Sequence, residues 1–576
     1  VFFTKLRISG KYFPGDRHVE VKPPIFVEIF SMKPFISYYL SLALLTIVAF
    51  SCKRFAEDPE KKIFRYNESA GITSLDPAFA KDQANIWAVN QLFNGLVQLS
   101  SDLHIQPCIA KSWRISDDGL TYTFTLRGDV FFHDNPCFPD GEGRRLIASD
   151  FVFSLRRLAD PQMASPGAWI LNDVAEADGH KQVSCPDDST LIIRLKRAFP
   201  PFLGLLTTQY ASVIPVEAVQ KYGAEFRKNP VGTGPFRFKI WKEGVKMVFV
   251  KNPRYFESEH GRRLPLLDAV AISFLADRQS AFLEFVKGRL DFLSGIDPGY
   301  KDELLTRQGQ LNPKYKDRIR LLSEPYLNTE YLGILVDTSM PAARNSPLRD
   351  IRIRQALSYG CDRVKMIRFL RNNLGTPGLQ GVIPPGMPGF DSAHIRYPYN
   401  PEKARQLLKS AGYPDGKGMA PITLTTTSDY IDLAKFFQSQ LAELGIRLVI
   451  DMNQPAAVRE MKAQAKLEFF RASWIADYPD AESYLSLFYS PNFCPGGPNY
   501  THFSNPDFDE LYKMSMSIPR LDDRIPLYKA MDSLIMSQAP VVILYYDKVL
   551  RFTRNNINGL GTNPMNLLDL KRVVKE

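Results

Sequence analysis

The stretch Ile109-Ala110-Lys111-Ser112-Trp113-Arg114-Ile115-Ser116-Asp117-Asp118-Gly119-Leu120-Thr121-Tyr122-Thr123-Phe124-Thr125-Leu126-Arg127 decides how the chain is read. Ser116-Asp117-Asp118-Gly119 is a tight-turn sequence, and the apolar/polar alternation that follows has period two, so Leu120 to Arg127 forms a strand with one buried face. Working outward, Lys62 to Asn67 is a further strand, closed by the turn residues Ser74-Leu75-Asp76-Pro77. From Gln83 to Leu96, apolar Ile86, Ala88, Val89, Leu92, Phe93 and Leu96 recur at helical spacing, with Gly95 near the stop. Downstream, Asp150 reads as the N-cap of a helix running through Arg157. Comparable strand or helix segments recur at 246–250, 269–274, 349–358, 400–411, 422–427 and 436–448. Interleaving of this kind predicts α/β lobes, and no fixed period of a solenoid repeat is present.

With 576 residues the chain exceeds what one core can serve, because single cores stop growing at about 250–300 residues, so two or more lobes are expected. Its 45% hydrophobic and 23% charged residues are those of a globular body. The net charge of +10 is spread among acids with no long basic run, so nucleic acid is not an expected partner. No G-x-S-x-G, H-E-x-x-H, C-x-x-C or Walker sequence occurs and the seven His are scattered, which points away from an enzyme, a metal site or a cofactor. The Gly232-Thr233-Gly234-Pro235 run reads as a close backbone turn, since no Lys-Ser/Thr follows to make a phosphate loop.

The apolar run Phe35 to Phe50 follows Met32-Lys33 and leads into Ser51-Cys52-Lys53-Arg54. It is shorter than the roughly 20 residues of a membrane span and reads as an export signal. The run resembles bacterial lipoprotein signals, which implies cleavage before Cys52 and lipid on its sulfur; Phe50 departs from the small residue usual at that position. A plain signal cleaved nearby and a short membrane anchor are the alternatives. Met32 is the expected start, making 1–31 an upstream extension and 32–51 the signal. Loss of residues before Cys52 removes six Lys/Arg against three Asp/Glu. It leaves Cys108, Cys137, Cys185, Cys361 and Cys494, an odd number whose pairing is open.

Several motifs together resemble the extracytoplasmic solute-binding proteins of family 5, which serve peptide and nickel import by ABC transporters. They are the opening stretch, Val130-Phe131-Phe132-His133-Asp134, Leu92-Phe93-Asn94-Gly95-Leu96, Asn229 to Phe236, Asn252-Pro253-Arg254-Tyr255-Phe256, Asp350 to Leu357 and Ala404 to Tyr413. The resemblance runs from about Ile63 to the C-terminus and is nearest to oligopeptide-binding members. It implies a two-lobed, type II periplasmic-binding-protein-like α/β fold with an extra subdomain in the N-terminal lobe. The implied layout is lobe I over 52–93 and 214–326, the insert over 94–213, lobe II over 327–546 and a return to lobe I over 547–576. It also implies a monomer in the periplasm, held to the membrane by lipid, that takes short peptides to the permease subunits of an ABC transporter. Murein peptide, dipeptide, haem or a metal chelate are the alternative cargoes, and an enzyme or adhesin on the same lobes is the alternative class.

The cargo signal implied by the resemblance is Arg471-Ala472-Ser473-Trp474-Ile475-Ala476-Asp477-Tyr478-Pro479-Asp480. In peptide binders an acid at the Asp477 position meets the ligand's α-ammonium, a charge-assisted bond that rejects ligands lacking the amine; an exposed turn acid is the plainer reading. Arg471 matches an arginine that reaches a ligand carboxylate, with an internal salt bridge as the alternative. Tyr546, at the end of the buried strand Val541 to Tyr546, and Trp169, from the insert, are expected at the cleft. Gln83 on one side and Ser473, Trp474 and Ile475 on the other are expected to flank an extended peptide that binds as an added strand. Ile475 and Leu327 stand where well-known peptide binders carry a cysteine pair, and Ile431 where some carry a histidine, so the preferred peptide length is open.

Overall fold

The computed structural model describes residues 61–297 and 299–576; the upstream extension, the signal run and Cys52 lie outside the described residues. The opening stretch folds as its alternation requires. Thr121–Leu126 is a strand whose Tyr122, Phe124 and Leu126 are buried while the threonines face outward. Gly119 turns the chain at φ +70°, and the Ser116 hydroxyl accepts the Thr121 N–H at 2.9 Å. This strand sits in a four-stranded antiparallel sheet with Ala110–Ile115, Thr190–Arg194 and Val183–Asp187, and the helix Ala148–Ala159 packs its buried Phe151 and Leu155 beside it. Its core is continuous with that of Phe64, Trp87 and Phe292, so the insert is welded to the N-terminal lobe by apolar burial.

An eleven-stranded mixed sheet spans the molecule. At one end lie Phe236–Lys242, Lys246–Lys251, Ala269–Ser273, Ile63–Asn67 and Phe292–Ser294; at the other lie Phe469–Ile475, Ile422–Thr426 and Leu448–Met452. The long antiparallel strands Ile319–Ile334 and Val541–Arg554 join the two ends. Parallel pairs such as Ile422–Thr426 with Leu448–Met452 need a crossover, which the helix Ile431–Ala442 supplies. A separate core of Leu332, Leu357, Phe437 and Phe469 underlies the second end. The chain is thus a two-lobed α/β body.

The joining ladder shifts register twice near where the lobes meet, at Pro325/Thr329 and at Glu330/Tyr331, and the first break is the wider. Pro325 pairs with Lys548 and Thr329 with Tyr546, so Tyr326, Leu327 and Asn328 bulge opposite Asp547 alone. Leu327 is pulled out of register by other partners: its N–H donates to the Pro564 carbonyl at 2.8 Å, and its own carbonyl accepts the Ala476 N–H at 2.9 Å and the Tyr484 hydroxyl at 2.7 Å.

Two local expectations shift. The first helix runs Gln83–Leu92, capped by Asp82, and stops short of Leu96. The Leu92 carbonyl is taken there by the Gly234 N–H at 2.9 Å, and a Cβ on Gly232 would stand 2.1 Å from that oxygen, so the glycine run terminates the helix by close approach. Asp150 lies inside its helix rather than at the cap; its carboxylate accepts the Ile147 N–H at 3.0 Å and pairs with Arg144 at 2.6 Å.

Candidate functional site

The strand Phe469–Ile475 carries the expected cargo segment to the lobe boundary. On one side it pairs with Ile319–Ile334 through to Asn328 opposite Ile475; on the other its pairing with Ile422–Thr426 ends at Phe470. Among the described residues no strand pairs with that second edge beyond Phe470. The Ala476 N–H bonds to Leu327, and antiparallel bonding alternates, so Trp474 and Ala472 face the paired strand and Ser473 and Ile475 point their N–H and C=O to the open edge. The Ile475 side chain is 47% exposed beside it.

After Ile475 the chain enters a loop with three acids, of which two are committed. Asp480 is buried and accepts Arg524 at 2.5 Å, the Tyr528 hydroxyl at 2.7 Å and the Glu482 N–H at 3.0 Å. Glu482 is buried and accepts the phenols of Tyr478 and Tyr512, and burial pushes its carboxyl up to about 7. Ser483 receives the indole N–H of the half-buried Trp474 at 3.2 Å. Asp477 is the third acid. Among the described residues no hydrogen bond or ion pair engages its carboxylate, yet surrounding protein pushes it up to about 6. The residue is exposed all the same. The two agree where protein atoms crowd around a carboxylate that still reaches solvent, since the surrounding protein favours the neutral form.

The opposite wall comes from the insert and the first helix. Tyr210 is raised to about 12 by burial first and then by the charges of Asp477 and Asp82. Its ring rests on Gly167, where a Cβ would stand 2.1 Å from Cδ1. Two residues on, the half-buried Trp169 lies 6.4 Å from the Tyr478 ring. Gln83 is exposed and lines a cavity of about 550 Å³ with Trp87, Asn566, Arg371, Lys301 and Lys548. Arg371 donates to Tyr545 and Asp547 at 2.9 and 2.7 Å, whereas the ammonium groups of Lys301 and Lys548 meet no acid among the described residues.

Two expected ligand contacts are otherwise engaged. Arg471 forks onto Glu330 of the neighbouring strand, at 3.0 Å from Nε and 2.6 Å from Nη2, with its guanidinium 3.3 Å above the Tyr430 ring. Glu330 is 3% exposed and the arginine is its counter-charge, so the salt bridge, and not a free fork, is what the structure holds. Tyr546 is 1% exposed; its hydroxyl bonds to the N–H and C=O of Gly381 at 3.0 and 2.6 Å, so it braces the lobe boundary from below the cleft surface. Tyr210, Glu482, Lys301 and Lys548 have no motif around them in the sequence; only the fold assembles them.

Among the described residues no helix is long and apolar enough to cross a membrane, and the five described cysteines are free thiols. The chain is 27% identical over 531 residues to the glutathione-binding protein GsiB of Shigella dysenteriae serotype 1, covering 91% of this chain and 96% of that one. HbpA2 from Haemophilus parasuis superposes at a TM-score of 0.78 with 22% identity, over 89% of this chain and 100% of that one. DppA from Helicobacter pylori, solved with peptide STSA, superposes at 0.70 with 24% identity, over 89% and 98%. These likenesses agree with the type II two-lobed fold and its insert. The family model of bacterial extracellular solute-binding proteins, family 5, matches residues 104–493, and this chain belongs to that family.

Proposed function

We propose that this protein is the substrate-binding component of an ABC importer, capturing short peptides between its lobes and passing them to a membrane permease. In this reading it works by binding and not by catalysis, as a monomer outside the cytoplasm tethered through lipid on Cys52. The observation that carries it is Asp477, an acid left without a protein partner on a water-poor wall while its neighbours Asp480 and Glu482 are saturated. An α-ammonium supplies the missing charge. The open edge at Ser473 and Ile475 offers main-chain bonds to an extended ligand whatever its side chains. Lys301 and Lys548 supply the opposite charge for a carboxylate end. Glutathione, the ligand in the name of the Shigella relative, carries one α-ammonium and two carboxylates, the charges this reading calls for. Trp169 and Gln83 shape the facing wall, and Arg471 acts by holding Glu330 neutralised.

Calorimetric titration of the mature protein with glutathione and a peptide length series, each free and N-acetylated, tests the reading. Free peptides are expected to bind at least tenfold more tightly than their acetylated forms. Equal affinity for both would remove the amine anchor and with it the peptide assignment.

A further inference from the structure

Where the strands Ile319–Ile334 and Phe469–Ile475 pair, directly opposed side chains share a face of the sheet. Asn328 opposes Ile475, Glu330 opposes Ser473 and Leu332 opposes Arg471, so alternation puts these six on one face. Away from the lobe boundary that face is closed: Leu332 is buried in the core under that end of the sheet, and Glu330 is held by Arg471. Toward the boundary it opens, since Ile475 is exposed. Tyr326, two residues before Asn328, lines the cavity of about 550 Å³ that Gln83 also lines. Asn328 therefore stands where the covered part of the face gives way to the cleft.

Its amide is left unpaired there. Asn328 is 6% exposed, and among the described residues its Oδ1 has no hydrogen-bond partner. The register supplies the reason. The opposed residue, Ile475, has no donor in its side chain, and the next residue of the same strand on that face, Glu330, is committed to Arg471. A buried acceptor without a donor destabilises a fold, so its retention calls for a partner that comes from elsewhere. Ile475 ends its strand with its side chain exposed, and a change of rotamer there uncovers the amide to an incoming group. We propose that Asn328 is a ligand-contacting residue: with a peptide in the cleft, its amide oxygen accepts a backbone N–H of the ligand. The proposal rests on the peptide reading and adds to it a side chain that recognises the peptide unit itself. A backbone N–H is the fitting donor because peptides carry it whatever their side chains, and its bond to a neutral amide oxygen buries no charge.

Two measurements on the whole mature protein test this. Without ligand, Asn328→Leu removes an unpaired acceptor and keeps a side chain of similar size, so its melting midpoint is expected to equal or exceed that of the wild type. Calorimetry with trialanine and glutathione is expected to show affinity reduced about threefold or more in the same variant. The ligand supplies a second arm that needs no variant: trialanine analogues with an ester in place of each amide in turn lack one N–H apiece. One of them is expected to bind the wild type about threefold or more weakly and to lose nothing further in Asn328→Leu, because both changes delete the same bond. A lowered ligand-free midpoint in Asn328→Leu would show that the amide serves the fold. Unchanged affinity, or ester losses of equal size in both proteins, would show that it does not touch the ligand, and any of these results overturns the proposal. Failure of the peptide reading would show separately, as equal affinity for free and acetylated peptides.

Discussion

At Asp477 the local chemistry makes a pH-dependent anchor. Its carboxyl is pushed up to about 6, above the ordinary carboxylate value of about 3.9, because desolvation favours the neutral form. An ammonium ligand needs the ionised form. Affinity for free-amine peptides is therefore expected to be full above pH 6 and to fall as pH drops through it, with proton release on binding in that window. Asp477→Asn should abolish this pH dependence and weaken binding by about 2 kcal/mol, the lower end for a charged interfacial pair because solvent reaches the group. Calorimetry across pH 5–8 on both proteins would show it, and an unchanged pH profile in the variant would exclude the assignment. Glu482 gives a stability counterpart. Its folded value near 7 lies above the unfolded value of about 4.3, so the fold binds the proton more tightly and stability declines as pH rises between them. Glu482→Gln should flatten that decline in denaturant titrations between pH 4 and 8, since the amide oxygen still accepts a phenol and no charge is buried.

The strand Phe469–Ile475 makes its contribution through its backbone. Ser473 and Ile475 present main-chain groups to an edge that no strand covers, while the facing helix Gln83–Leu92 begins at the Asp82 cap. If a peptide adds as a strand here, N-methylating a ligand amide that faces this edge removes one bond. Affinity should fall by about 1 kcal/mol, measured against methylation of the next amide along, which points away. Equal losses at both positions would argue that the ligand is not strand-like. The helix itself stops where its sequence pattern continues, because the Gly232 and Gly234 backbones occupy the space above Leu92. Such packing comes from residues far along the chain, and helical periodicity carries no record of it.

For the whole molecule, we propose the bulge at Tyr326 to Asn328 as the hinge between the lobes. The buried Asn328 amide oxygen has no partner there, and Leu327 is held by Pro564 from one lobe and Ala476 from the other. A broken ladder costs less to bend than a continuous one, so closure is expected to concentrate there. Small-angle scattering is expected to show a smaller radius of gyration with saturating peptide, and the melting midpoint to rise with ligand concentration by mass action. An identical scattering profile with and without verified ligand would count against lobe closure. The tether has its own test: fatty-acid label should enter the protein and be lost in Cys52→Ser, with label persisting in the variant contradicting lipidation at that residue.

From the sequence alone, period-two and helical spacing identified the interleaved α/β elements, and the turn at Ser116 to Gly119 placed the strand that follows it, Thr121–Leu126, to within a residue. Those features are local, set by side-chain alternation and by residues that suit a turn. The motif around Trp474 also marked the loop proposed to face a ligand. Which of its acids stays free was decided only in the folded chain: Asp480 and Glu482 are claimed by Arg524, Tyr528, Tyr478 and Tyr512, from segments that sequence order keeps apart. The partners of Arg471 and Tyr546 were likewise set by the fold, since Glu330 and Gly381 reach them from other segments. Charge pairing and burial are properties of three-dimensional neighbours, so element identity was legible in the chain while the partner of each polar group was settled by tertiary packing.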